Sequence, residues 1–236
     1  MGEIDRGEQA KKVIAGLKQV YPNATCALHF ETPLDLVVAT ILSAQCTDER
    51  VNIVTDDLFK KYRKAEDYAL APPGILEEEI HSTGFFRQKS MAIRGMGQKL
   101  VEKFGGEVPK TMEEMTQLPG VARKTANVVL GTAYGIPSGI VVDTHVRRLS
   151  YRLGLSDETD PDKIERDLME VVPKEEWIWF GHAMIWHGRD TCIARGPKCS
   201  ACVLQEFCPK RGVPQIGDPG RGRTVGTRAR RRAERG

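Results

Sequence analysis

The chain has 236 residues, of which 40% are hydrophobic and 28% charged. That balance belongs to a folded chain and excludes a collagen-like, low-complexity or wholly disordered one. Its most apolar stretch, residues 34–42, is far shorter than the ~18 residues of a membrane span. The opening MGEIDRGEQAKK lacks the apolar core of a signal peptide, so an intracellular protein without a membrane partner is expected. The net charge of +3 is unevenly spread: residues 221–236 hold seven Arg against one Glu, leaving residues 1–220 with 28 basic and 31 acidic side chains. An Arg-rich end of that kind suits either a polyanion or a solvated tail.

Read in chain order, the periodicity is helical throughout. Ala10, Val13, Ile14, Leu17 and Val20 form a stripe at 3/4 spacing over 7–20. Thr32 before Pro33 signals a helix start, and PLDLVVATILSAQ, apolar nearly all round, predicts a central buried helix over 33–45. Asp48 is placed to cap ERVNIVTDDLFKKY. Shorter helices are expected around 65–70 and 73–82, then a longer one over 87–104 that stops at Gly105–Gly106. Residues 111–117 and 123–134 read as two helices joined by the tight link LPGVA. GIPSGIVV promises only an extended connection. From Asp143 the pattern gives a helix to Gly154, another from Asp160 or Pro161 to about 171, and a third from Pro173 to His187. No alternating strand pattern or internal repeat stands out, so the fold class is all-α. Beyond Cys208 the chain holds Gly, Pro and Arg with almost nothing to bury, and 211–236 is expected to be a basic, disordered tail.

Four features carry chemistry. The turn at Gly120, Val121 and Ala122 sets backbone N–H groups at a helix N-terminus, which is an anion site by geometry, although Pro-Gly turns between helices are common structural links. Lys124 follows in the first turn, where the helix field disfavours a cation and makes a neutral, nucleophilic amine more accessible. An exposed lysine that bends into solvent is the plainer reading. Asp143 is a good N-cap for the helix beginning Thr144-His145, and a carboxylate there could also serve as a fixed negative charge or a base. Finally, Cys192, Cys199, Cys202 and Cys208 fall within 17 residues, enough to wrap a tetrahedral zinc or an iron–sulfur cubane. Only the middle pair is a knuckle and Pro209 follows the last Cys, so the spacing leans to iron–sulfur. Trp177, Trp179 and Trp186 precede the cluster and are read as core packing.

Together, LSAQCTD at 42–48, LPGVARKTANVVL at 118–130, VDTHVRR at 142–148 and the Cys-x6-Cys-x2-Cys-x5-Cys loop resemble endonuclease III, the iron–sulfur member of the helix-hairpin-helix DNA glycosylases. The likeness covers residues 7–210. It implies a two-lobed protein: a six-helix barrel over 26–136 with the hairpin at 111–134, and a [4Fe-4S] cluster lobe made of 1–25 and 137–210, held by the four Cys. The implied activity is excision of oxidised pyrimidines of the thymine glycol type from duplex DNA, with strand cleavage at the abasic site. By resemblance Lys124 is the nucleophile and Asp143 its catalytic partner. Gln45 fills the gap of a flipped base, Phe85 stands at the intercalating wedge, and His145, Arg195, Lys198 and the 120–122 turn contact DNA. A monomer working in the cytoplasm or on the nucleoid is implied.

Three departures stand out. The hairpin's usual second glycine is Ala122, whose methyl is harmless if φ is negative and otherwise pushes a phosphate outward. Phe85, followed by Phe86, replaces a wedge that is usually leucine, and one of the two rings could simply pack on the barrel. The Arg-rich tail is an addition. A lysine-free, adenine-removing relative and a non-catalytic DNA-binding module are the rival readings, and the Lys124–Asp143 pair argues against both.

Overall fold

A computed structural model describes residues 4–214. Among these the chain is helical, with eleven α-helices, three short 3-10 turns and no strand. None of the helices is long and apolar enough to cross a membrane. The Arg-rich segment 221–236 and most of the expected tail lie outside the described residues.

Helix α1 (Arg6–Val20) starts at Asp5, whose carboxylate accepts the Gly7 and Glu8 N–H groups. α2 (Pro33–Leu42) has the Thr32/Asp35 capping box and a proline in its first turn. It ends at Leu42, three residues short of the expected 45, because the chain turns into a left-handed conformation at Gln45 (φ 55°). The cap of α3 (Asp48–Lys61) is Thr47, with Asp48 already helical, so the expected cap moves back one residue. α4 (Ala65–Ala69) is one turn and a half. The expected helix over 73–82 breaks into α5 (Ile75–Glu79) and a 3-10 turn at His81–Thr83. α6 (Phe86–Phe104) runs the full predicted length. It crosses α4 so closely at Gly97 that a Cβ there would lie 2.7 Å from the Ala65 carbonyl, so only glycine fits. The first hairpin helix, α7, is a single turn, Met112–Met115, while α8 spans Arg123–Tyr134. α9 (Thr144–Arg152) and α10 (Pro161–Val171) begin at the caps Asp143 and Asp160. The last expected helix begins as a 3-10 turn (Lys174–Glu176) and continues as α11 (Trp177–Asp190).

Two apolar cores result. The first is built from α2–α8 and includes Leu36, Leu42, Tyr68, Ile93, Met96, Leu100 and Leu130, all fully buried. The second gathers α1 with α9, α10 and α11 around Leu17, Leu149, Ile164, Leu168, Phe180 and Leu204. A buried carboxylate fastens one to the other. Glu165 on α10 accepts from Arg123 Nε (2.7 Å) and Asn127 Nδ2 (2.6 Å) on α8, and Ser138 donates in turn to Asn127 (2.8 Å). Each Trp of α11 joins the scaffold by its indole N–H: Trp177 to the Val172 carbonyl, Trp179 to Tyr21 and Trp186 to Thr25.

Candidate DNA-lesion site and thiol loop

Between the two cores lies a cleft. Lys124 and Val128 of α8, Asp143, Thr40 and Ser43 line one part of it; Thr25–Leu28, His182, Trp186 and Arg189 line the rest. Lys124 sits in the first turn of α8, exposed, with no carboxylate within 4 Å among the described residues. Its neighbour Arg123 is the residue that Glu165 neutralises. Asp143 is half-buried. Its Oδ1 caps α9 by accepting the N–H groups of His145 and Val146, both at 2.8 Å, while Oδ2 makes no hydrogen bond among the described residues. One oxygen therefore fixes the carboxylate and the other is left without a protein partner among the described residues.

Deeper in the cleft, His182 is buried against Thr132 (Nε2···Oγ1 3.2 Å), and burial pushes its pKa down to about 4, so the ring is neutral. Arg189 and Asp48 form a 2.7 Å ion pair that joins the start of α3 to the end of α11.

The turn at 118–122 differs in detail from expectation. Gly120 has φ 77°, and a Cβ there would meet Ala92 at 2.9 Å and Ile41 at 3.3 Å. Glycine is thus needed for the turn and for packing, not only for an approaching ligand. The N–H of Val121 closes the turn onto the Leu118 carbonyl (3.1 Å), and its side chain is buried, so this residue does not offer an outward donor. Ala122 has φ −88° and ψ 173°. Its methyl fits without strain, and because alanine cannot cap, the first N–H groups of α8 have no side-chain partner.

Gln45 and Phe85 are both exposed, and both adopt left-handed backbone (φ 55° and 49°). Among the described residues only Lys210 joins them as a non-glycine with positive φ. Phe86 is the ring that packs inward, 4.4 Å from His81. Phe85 is thus the exposed ring of the pair, and Phe86 the one that packs against the core.

Beyond α11 the chain from 191 to 213 contains only a 3-10 turn at Cys199–Ala201. Its four cysteines are free thiols that line a single cavity with Arg152, His187 and Gln205. Among the described residues no three His, Cys, Asp or Glu are placed to hold one metal ion. Donors nonetheless aim at sulfur: Arg152 Nη1 reaches Cys192 Sγ (3.4 Å), the Leu204 N–H reaches Cys202 Sγ (3.4 Å), and His187 Nε2 lies 3.5 Å from Cys202 Sγ. Burial pushes the Cys202 and Cys208 thiols up, so a bound cation is needed to keep them ionised. Arg152 also clamps the Ile193 and Ala194 carbonyls, and Arg148 the Gly188 and Cys192 carbonyls. The helix that begins at Asp143 therefore also grips the thiol loop. Neither arginine stands out in the sequence; two arginines at i and i+4 on α9, within about two turns of the Asp143 cap, are the signal that could have found them. His145 lies between the two sites, its Nδ1 3.3 Å from Arg148. Arg195 is exposed, as is Lys198, which lies 3.7 Å from Asp190.

Comparison with known proteins agrees with this geometry. Residues 38–174 match the model of the HhH-GPD superfamily base excision DNA repair protein. The chain is 55% identical to endonuclease III of Synechocystis sp. over 202 residues, covering 86% of this chain and 92% of that one. It is 42% identical to the protein in a non-covalent endonuclease III–DNA complex, with a TM-score of 0.83 over 88% of this chain and 96% of the other. The same identity and TM-score hold for a trapped endonuclease III–DNA covalent intermediate, an estranged-adenine complex, where 97% of that chain is covered.

Proposed function

The chain belongs to the endonuclease III family of the HhH-GPD superfamily of base excision DNA repair proteins, and from that premise we propose how its residues divide the work. It is a bifunctional DNA glycosylase and abasic-site lyase of base excision repair. Its substrate is duplex DNA carrying an oxidised pyrimidine of the thymine glycol type, or the abasic site left behind. It acts as a monomer in the cytoplasm, on the nucleoid.

The observation that carries the reading is the shared cleft of Lys124 and Asp143, with the amine unpaired and one carboxylate oxygen open. A base inside the duplex cannot present its C1′, so the damaged nucleotide turns out of the stack. Gln45 and Phe85, on exposed loops of fixed left-handed geometry, fill the space it leaves. The uncapped N–H groups at the start of α8 hold a phosphate beside the lesion, where they meet the positive end of the helix dipole.

Lys124 Nζ, as the free amine, attacks C1′. The bond from C1′ to the base breaks and its electron pair leaves with the base. The ring-opened sugar and lysine form an imine, which acidifies the C2′ proton. Loss of that proton expels the 3′ phosphate by β-elimination, and water then releases the lysine. Asp143 Oδ2 helps take the proton from the Lys124 ammonium before the free amine attacks, and the carboxylate stabilises positive charge developing on the sugar. The neutral His182 lines the pocket without adding a competing cation.

The four thiols around one cavity, with N–H donors directed at two of the sulfurs, suit a [4Fe-4S] cluster. When bound, the cluster supplies a rigid staple for a loop with little apolar surface. The loop then presents Arg195 and Lys198 to the DNA backbone.

Incubation with duplexes carrying thymine glycol, uracil or a normal thymine tests the specificity. Free base is expected from thymine glycol alone, followed by strand cleavage. Equal release from uracil, or adenine release from mismatches, would refute the assignment. A yellow-brown protein absorbing near ~400 nm is expected, and a colourless protein with one zinc would refute the cluster.

A further inference from the structure

Lys89 is buried, with 5% of its surface exposed, yet no carboxylate pairs with it among the described residues. Its Nζ donates instead to two backbone carbonyls, Leu42 and Thr83, each at 2.8 Å. Both mark the ends of helical segments. Leu42 is the last residue of α2, and Thr83 the last of the 3-10 turn. Such terminal carbonyls lack intrahelical donors and carry the negative end of the helix dipole, so a buried ammonium between them is held by charge as well as by hydrogen bonds.

The residues just downstream of each carbonyl give the arrangement its meaning. Three residues beyond Leu42 the chain reaches Gln45, and two beyond Thr83 it reaches Phe85. These two residues are exposed and left-handed. The backbone N–H of Lys89 also donates to the Phe85 carbonyl (3.0 Å), which makes Lys89 part of the first turn of α6. One residue therefore touches the roots of both loops, which are 40 positions apart in sequence. Leu42 and Thr83 are thereby linked through a single charged atom.

We propose that Lys89 is a positioning residue that fastens the Gln45 and Phe85 loops into one unit, so that both enter the duplex together when a nucleotide is turned out. The inference rests on the reading of Gln45 and Phe85 as duplex-probing residues. Lys89 does not touch DNA; it acts through the two loops. It should therefore matter where a stacked nucleotide must be extracted and be dispensable where there is no stack to open.

The experiment measures strand cleavage at an abasic site in a duplex and in a single-stranded oligonucleotide, on the full chain. Lys89→Met keeps the length of the side chain and removes the ammonium. Gln45→Ala and Phe85→Ala report on the loops. Leu58→Ala, in the same core, controls for lost stability through its thermal midpoint. Lys89→Met is expected to cut the duplex rate roughly tenfold to a hundredfold, the scale of a small misplacement, while the single-strand rate stays within about twofold. Adding Phe85→Ala to it should cost less than the two single losses combined. Equal losses on both substrates, or no loss on the duplex, would overturn the proposal. If Gln45→Ala and Phe85→Ala lose duplex activity and Lys89→Met does not, this inference alone fails. If neither loop variant loses it, the reading of those loops fails and the inference falls with it. Should Lys89→Met not fold, Lys89→Arg keeps the charge but moves its donors, and the same selective loss is expected on a smaller scale.

Discussion

The two halves of the molecule are stabilised by different means. Around α2–α8 the core is apolar and continuous, and its polar residues are exceptions such as Lys89. Around the thiol loop the order is reversed. Residues 191–213 hold almost no regular structure and contribute Leu204 as their one fully buried apolar side chain, while Arg148, Arg152 and Gln9 tie down the loop carbonyls. Four inward thiols occupy the place where a hydrophobic core would be. A segment that buries so little apolar surface has little to offset its ordering entropy, and the proposed cluster would supply that offset on binding.

The largest effect should come from breaking the staple. Cys202→Ala is expected to abolish the visible absorbance and to make 191–213 the first site of limited proteolysis, with the barrel still resistant. Simultaneous digestion of both halves would show that they are one cooperative unit. Next is the joint between the cores. Glu165→Ala leaves Arg123 and Asn127 without their acceptor, and chemical denaturation should register a loss of about 3 kcal/mol. Arg152→Met should cost less, on the order of 1–3 kcal/mol, and should lower cluster retention because the Ile193 and Ala194 carbonyls lose their donor.

Acid offers a gentler probe. The pKa of His182 in the fold, about 4, lies below the ordinary 6.5, so the unfolded chain binds its proton first. The stability held by the neutral ring is complete above about pH 6.5 and is lost as the pH falls from there toward 4. Thermal midpoints of wild type and His182→Asn should converge over that window, and a constant gap between them would refute this account of the ring. The smallest effect is a gain. Phe85→Gly releases an exposed ring from left-handed backbone and should raise stability by about 1 kcal/mol while lowering duplex cleavage. A stability loss would mean that the ring packs in the free protein.

The sequence was most legible where neighbours in the chain act together. Helix periodicity, the Thr32 and Asp143 caps and the spacing of the four cysteines could all be read locally. The end of α2 could not, because Ser43, Ala44 and Gln45 contain no helix breaker and the carbonyl at its end is bound by a lysine 47 residues away. Nothing in the local sequence marks Glu165, whose partners are 38 and 42 residues distant. The sign of φ at Ala122, and the choice between Phe85 and Phe86 as the exposed ring, depend on how the turn meets the barrel. Buried polar pairs between distant segments leave no periodic trace, which is why they emerged only in three dimensions.

The central claim is that Lys124 attacks the sugar. Borohydride trapping on a thymine glycol duplex tests it directly, comparing wild type with Lys124→Ala and Asp143→Asn. A covalent protein–DNA adduct is expected in wild type, none with Lys124→Ala, and a slowed yield with Asp143→Asn. An adduct that survives Lys124→Ala, or base release by wild type without any adduct, would contradict it.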